Sequence, residues 1–293
     1  MATQNDGLNT LTIVECPRDA MQGLDKFIPT PLKIRYLNAL LEVGFDYLDF
    51  GSFVSPKAVP QMADTKEVLA GLNWEESKTE LLAIVAGKRG IADALEHQGV
   101  RHLGFPFSIS PTFQMRNAKK SIQDSFDVVK YLLDACDSHD RKAVVYLSMG
   151  FGNPYDDDWS LDLVEDWCGK LIEIGVQLIS LSDTVGKADP TTLNEVYTRV
   201  EKSFADTEFG MHLHTRYDNW KEKVDSAWRA GCRRFDGAMK GFGGCPFAKD
   251  ELVGNLPTEK IISFCTEKKI HHNINLHRFQ SAYNMSADVF LTQ

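Results

Sequence analysis

"LNALLEVGFDYLDFG", residues 37–51, runs from a helical pattern through a glycine into a strand-like segment. Its apolar residues recur at helical spacing, Gly44 then offers a left-handed cap at little steric cost, and "DYLDF" follows within two residues. The same order returns in "ADALEHQGVRHLGFP" (92–106), "CGKLIEIGVQLISLSD" (168–183) and "VDSAWRAGCRRFDGA" (224–238), pivoting on Gly99, Gly175 and Gly231. Short helix-to-strand connections repeated in this way belong to one architecture. Further strand-like stretches lie near 11–16, 80–86, 142–148 and 208–214, and helical patterns follow each strand. Alternating β and α units imply a parallel sheet. Eight units in 293 residues predict an α/β fold of the (β/α)8 TIM-barrel type, one domain over 1–293. An open doubly wound sheet fits less well, because no G-x-G-x-x-G follows the first strand. "LHRFQSAYNMSADVF" (276–290) reads as an additional C-terminal helix outside the barrel.

Bulk composition narrows the function classes. An apolar fraction of 43% with 25% charged residues can build a sizeable core, so wholesale disorder is excluded. A net charge of −9 argues against a broad nucleic-acid interface, though not against a local basic patch for a phosphorylated small molecule. The first residues, "MATQNDGLNT", carry no leader pattern, and no uninterrupted apolar span suits a bilayer, so no membrane association and a cytoplasmic location are expected. The six cysteines never form C-x-x-C and read as thiols, most of them small buried apolar residues.

In such barrels the active site lies at the C-terminal ends of the strands. Those positions collect Arg18 and Asp19 after strand one, Asp49 on strand two, Ser182, Asp183 and Thr184 around the end of strand six, and His212 and His214 on strand seven. Asp236 on strand eight leads into "KGFGGCPFAKDELVGN" (240–255), a Gly-rich loop carrying Cys245. In a strand, His212 and His214 share a face. Alone, that spacing is as readily two unrelated hydrogen-bonding side chains; with a carboxylate at Asp19 and an amide at Asn255 it becomes a ligand set. Oxygen and nitrogen donors without thiolate favour Mg²⁺ or Mn²⁺, with zinc as the alternative.

"VECPRDAMQ" (14–22), "GSFVSPKAVPQMAD" (51–64), "ISLSDTVG" (179–186), "HLH" (212–214), "KGFGGCPFA" (240–248) and "GNLPTE" (254–259) closely resemble the 3-hydroxy-3-methylglutaryl-CoA lyase family. This family belongs to the metal-dependent TIM-barrel lyase and Claisen-condensing superfamily. The resemblance runs in register from Ile13 to about Glu259. It implies cleavage of 3-hydroxy-3-methylglutaryl-CoA to acetyl-CoA and acetoacetate, with a divalent cation held by Asp19, His212, His214 and Asn255. It implies catalytic roles for Arg18 at the thioester carbonyl, Cys245 on a mobile loop, Asp183 near the reacting hydroxyl, Asp49, and Glu259 in support. Ser180 and Thr184 would line the substrate site. The partner implied is an acyl-CoA, and assembly into a homo-oligomer is compatible with it.

Several positions depart from the family pattern. Asp49 stands where glutamate is usual, and Ala20 stands where glycine is usual. Thr215-Arg216-Tyr217 replaces Asp-Thr-Tyr, "IVAGKRG" (84–90) lacks a usual asparagine, and the stretch from Cys245 to Asn255 is one residue longer. These changes leave open a lyase for a related branched 3-hydroxy-3-acylglutaryl-CoA, or a synthase condensing acetyl-CoA with a 2-oxo acid. Against the synthase, no long region follows the barrel and the loop is "GGCPFA". A barrel that lost catalysis and binds acyl-CoA or a partner protein is the non-enzyme alternative, opposed by the intact ligand set.

Overall fold

The computed structural model describes residues 9–244 and 253–291. Its strands are β1 (Thr12–Glu15), β2 (Tyr47–Ser52), β3 (Glu80–Ile84), β4 (Val100–Ser108), β5 (Lys142–Ser148), β6 (Leu178–Asp183), β7 (Glu208–Thr215), β8 (Arg234–Gly237) and the two-residue β9 (Gly254–Asn255). The first eight pair in parallel with their sequence neighbours, and β1 pairs with β8, so the sheet closes on itself as a TIM barrel. Helices α1 (Pro17–Gln22), α2 (Thr30–Leu41), α3 (Thr65–Ala70), α4 (Lys88–Leu95), α5 (Pro111–Ala118), α6 (Ile122–Ser138), α7 (Leu161–Glu173), α8 (Pro190–Ser203) and α9 (Trp220–Arg229) return the chain between strands. Two more, α10 (Thr258–Lys268) and α11 (Leu276–Phe290), complete the set.

The repeated glycines behave alike with one exception. Gly44, Gly175 and Gly231 have φ of 87°, 106° and 111°, the left-handed conformation that lets a helix stop and a strand begin. Gly99 has no such φ. A Cβ there would lie 2.8 Å from the Trp74 indole, so this glycine is required by close packing rather than by a left-handed cap.

The core has two parts. Most apolar side chains lie between the barrel's outer face and the helices, while Leu82, Ile84, Val144, Tyr146 and Leu178 fill the interior as a separate cluster. Alternation along each strand sends one set of side chains to each part. The added helix α11 packs on α2, with Tyr36 and Phe290 edge to face at 6.0 Å. Phe290 also stacks on Phe242 at 4.5 Å, which pins the start of the Gly-rich loop.

Glu15, the last residue of β1, is fully buried on the outer side of the barrel. It accepts hydrogen bonds from Met239 N (2.9 Å) and the Thr258 hydroxyl, tying β1 to the segment after β8 and to α10. Burial pushes its carboxyl up to about 8, against those two hydrogen bonds. The folded chain therefore holds this proton more tightly than the unfolded chain. Its contribution to stability is complete below the ordinary carboxylate range and is lost as pH rises through 8. Glu15→Gln keeps an acceptor for Met239, so denaturation free energies measured from pH 5 to 8 should fall less steeply with pH than in the parent. An unchanged slope would overturn this account.

Candidate active site

His212 and His214 project from the same face of β7, ring centroids 5.4 Å apart. Asp236 on β8 stands in register with His212, and its Oδ2 lies 3.1 Å from His212 Nδ1. A hydrogen on Nδ1 directed to that carboxylate leaves Nε2 as the ring's free lone pair. Asp19 reaches the same place from α1, which begins immediately after β1 with Pro17 at its first turn. Ligand atoms of Asp19, His212 and His214 all lie within 4.8 Å of one another.

Asn255 completes the group through an element too short to read from sequence. β9 pairs antiparallel with β7, His214 opposite Asn255. The amide Nδ2 donates to Asp19 Oδ2 (2.8 Å) and to the Phe242 carbonyl (2.9 Å), so a cation here would be met by the amide oxygen rather than the nitrogen. Gly243, at φ 88°, closes over this cluster. A Cβ there would meet Ala20, Asn255 and the Asp19 carbonyl at 2.8 Å each, so only glycine fits.

The protonation states suit a cation. Burial and then the neighbouring His212 push the His214 imidazole down to about 4, with Asp19 opposing, so His214 is neutral near pH 7. Burial alone would raise the Asp19 carboxyl, but Arg18, His212, His214 and Asn255 outweigh it and hold it below its ordinary value. Burial would lower His212, yet Asp236 and Asp19 keep it above its usual range, so a cation at Nε2 would take the place of a proton. A neutral imidazole, an ionised carboxylate and an amide oxygen form an O/N donor set that fits a hard divalent cation.

Arg18 borders this cluster and lines the same cavity. Its Nε lies 3.0 and 3.2 Å from the two Asp49 oxygens and its Nη2 also bonds Asp49, a fork that fixes the guanidinium plane. Nη1 donates to Asp19 Oδ1 (3.1 Å) and Gln22 Oε1 (2.8 Å), one helical turn on. Burial pushes the Asp49 carboxyl up to about 6, against the pull of Arg18. Sequence reading did not single out Gln22, which also donates to Asp19 (2.6 Å). Its signal was the four-residue spacing from Arg18 on one helix.

The other expected residues divide. Asp183 does not line the cavity. Its Oδ2 pairs with Lys223 Nζ at 2.8 Å, both side chains 1% exposed, and its Oδ1 accepts from Ala188 N. Ser180 is fully buried behind the cluster and donates to Asp236 Oδ2 (3.3 Å). Thr184 does line the cavity, while its Oγ1 accepts from Met149 N (2.9 Å). Glu259 accepts from Lys240 N (3.0 Å) and so braces the segment after β8 outside the cavity lining. Arg216 is exposed to solvent. Cys245 lies outside the described residues.

The cavity has a volume of about 700 Å³. Its inner end carries the Asp19, His212 and Arg18 groups, its wall includes Ile84, Pro106 and Phe113, and its outer part includes Lys88, Arg89 and Lys119. Lys88 and Arg89 open α4, whose first-turn amides add positive potential. The exposed lining carries Lys88, Arg89 and Lys119 against the nearby Asp93, so an excess of positive charge there fits an anionic chain whose reactive end lies at the buried polar groups. No helix among the described residues is long and apolar enough to cross a membrane.

A family model described as HMGL-like matches residues 12–285. The hydroxymethylglutaryl-CoA lyase of Bacillus subtilis is 31% identical over 266 residues, 91% of this chain and 88% of that protein. The 3-hydroxy-3-isohexenylglutaryl-CoA/hydroxymethylglutaryl-CoA lyase of Pseudomonas aeruginosa is also 31% identical, with the same coverage of both chains. Among solved structures, an HMG-CoA lyase from Acinetobacter baumannii in complex with coenzyme A and 3-methylmalate matches with a TM-score of 0.90 at 27% identity. That match covers 99% of this chain and 93% of the other.

Proposed function

This chain belongs to the HMGL-like family and is a carbon–carbon lyase, and from that premise we propose that it cleaves 3-hydroxy-3-methylglutaryl-CoA to acetyl-CoA and acetoacetate with Mg²⁺ or Mn²⁺. The observation that carries this reading is the Asp19–His212–His214 cluster lying beside the Arg18–Asp49 fork in one cavity with a basic mouth. One barrel domain would hold the whole reaction. Its described cysteines are all free and buried, which suits the reducing cytoplasm.

Asp19, His212 and His214, with the Asn255 amide oxygen, would hold the cation. Bound there, the cation would acidify the substrate's tertiary hydroxyl and fix the hydroxyl and free carboxylate in place. Asp236 orients His212, and Ser180 in turn orients Asp236. Arg18 faces the thioester oxygen and stabilises the negative charge that grows there as the carbon–carbon bond breaks. Asp49 and Gln22 keep that guanidinium aimed. Thr184 borders the acyl group, and Lys88, Arg89 and Lys119 meet the phosphates of the CoA portion. Cys245 would bring a proton to the departing enolate from the Gly-rich loop. Glu259 and the Asp183–Lys223 pair support the surrounding segments rather than touching substrate.

A second reading, cleavage of a longer 3-alkyl analogue, draws support from the apolar wall of Ile84, Pro106 and Phe113. A methylene changes discrimination by only about ten- to two-hundredfold, so trace activity on either compound is not decisive. The test compares kcat/KM for the methyl substrate and its alkyl-extended analogues, with and without exhaustive chelation, and assays a 2-oxo acid plus acetyl-CoA for condensation. We expect cleavage of the methyl compound to be fastest, to vanish on chelation and to return with Mg²⁺ or Mn²⁺. Preference for an extended analogue would move the assignment to the related lyase. Full activity after chelation would sink the metal reading, and condensation without any cleavage would sink the lyase.

A further inference from the structure

Cys16 follows β1 and lines the cavity, 1% exposed, its Sγ 3.9 Å from the Val14 carbonyl. Its Sγ, a His212 ring nitrogen and an Asp236 carboxylate oxygen all lie within 4.8 Å of one another. Asp236 is 2% exposed, yet its Oδ1 has no hydrogen-bond partner among the described residues. A buried thiol, an imidazole and a half-unsatisfied carboxylate therefore converge beside the hard-cation cluster and share one residue with it.

We propose that Cys16, His212 and Asp236 form a second cation site, selective for thiophilic ions such as Zn²⁺ or Cd²⁺, that competes with the Asp19 cluster for His212. Sulfur decides the selectivity. Mg²⁺ and Mn²⁺ prefer the oxygen-bearing set, whereas zinc and cadmium gain most from a thiolate. The 3.1 Å between His212 Nδ1 and Asp236 Oδ2 is a direct hydrogen bond, so an ion held here would displace its proton and turn the ring or the carboxylate to open a ligand angle. A thiolate and a carboxylate together balance the charge of a divalent ion.

Competition follows from the imidazole. With Nδ1–H directed to Asp236, Nε2 is free for the Asp19 cluster. One ring stands in both clusters, and an ion held beside Cys16, whose thiol proton leaves to the buffer, would also repel a second divalent ion at Asp19. The competition rests on the proposed lyase reading; the existence of the thiophilic site does not.

The test titrates exhaustively chelated protein with Co²⁺ under reducing, oxygen-free conditions and reads the thiolate-to-cobalt charge-transfer absorption. The band should form in the parent, be lost in Cys16→Ser and persist in Cys245→Ser. In the Mg²⁺-supported lyase assay, Zn²⁺ should inhibit competitively with Mg²⁺, and Cys16→Ser should raise the inhibitory zinc concentration more than about tenfold. Should the serine variant fail to fold, anomalous scattering from parent crystals soaked in Zn²⁺ replaces it, with an ion expected about 2.3 Å from Cys16 Sγ. No band in the parent, a band surviving Cys16→Ser, or zinc confined to Asp19 and His214 overturns the proposal. A cobalt band in a protein with no lyase activity would refute the lyase reading while leaving this site standing.

Discussion

Replacing Arg18 with methionine should lower kcat at least about a hundredfold while leaving affinity for the divalent cation within a few-fold of the parent. Removal of one preorganised donor aimed at a developing oxyanion typically costs about 10²–10³ in turnover. Arg18 is that kind of donor, because its orientation is settled before substrate arrives: Asp49 holds Nε at 3.0 Å and Gln22 holds Nη1 at 2.8 Å. Methionine fills much of the same volume but leaves the buried Asp49 carboxyl without its partner, so turnover is counted per folded molecule. The effect should appear in kcat more than in KM, since negative charge on the thioester oxygen is greatest in the transition state. Arg18→Lys should recover little, because an ammonium cannot reproduce the planar fork to Asp49. Stopped-flow or coupled turnover assays, with metal affinity measured separately by calorimetry, check both halves. A near-parental rate in Arg18→Met would remove the assigned role.

What could be read without the structure divides by the range of the interaction. The barrel was legible because helix, glycine and strand recur locally, and each local signal agrees with the closed parallel sheet. Gly99 shows the limit: its glycine serves packing against Trp74, a partner the local pattern does not contain. The histidine pair was legible because alternation along one strand settles that His212 and His214 share a face. Asp19, Asn255 and Asp236 could be placed at the same barrel end, but the contacts that deliver the last two could not. Asp236 meets His212 through the β7–β8 register, and Asn255 meets His214 through a two-residue antiparallel strand with no propensity signal of its own. Cys16 looked like one more apolar filler, and only barrel closure turns it toward His212 and Asp236. Asp183 was the opposite case. The family resemblance gave it a place near the reacting hydroxyl, while in the fold a lysine 40 residues away pairs with its carboxylate.

That pairing leads to a large expected effect on stability. Lys223→Met should destabilise the fold by about 3–5 kcal/mol, the usual cost of leaving one member of a buried ion pair uncompensated. Against a total of about 5–15 kcal/mol for a folded domain, this loss is severe. Lys223 Nζ donates to Asp183 Oδ2 (2.8 Å), the His214 carbonyl (3.0 Å) and the Gly186 carbonyl (3.3 Å), so all three of its hydrogens are used. Methionine matches the stem but supplies none of these. Burial already pushes the Asp183 carboxyl up against the opposing pull of Lys223, and without the lysine the carboxylate has nothing to offset desolvation. The double variant Asp183→Asn, Lys223→Met carries no buried charge at this place and should recover part of the lost stability. It also separates the two roles Asp183 could have. If the carboxylate acted on substrate, the double variant would refold but stay inactive by orders of magnitude. If it acts by holding the β6–α8 connection and the His214 backbone, turnover per folded molecule should return to within about tenfold of the parent. Urea denaturation of the single variant gives the first number, and kcat of the refolded double variant gives the second. A Lys223→Met protein within about 1 kcal/mol of the parent would mean that water, not the ion pair, satisfies Asp183.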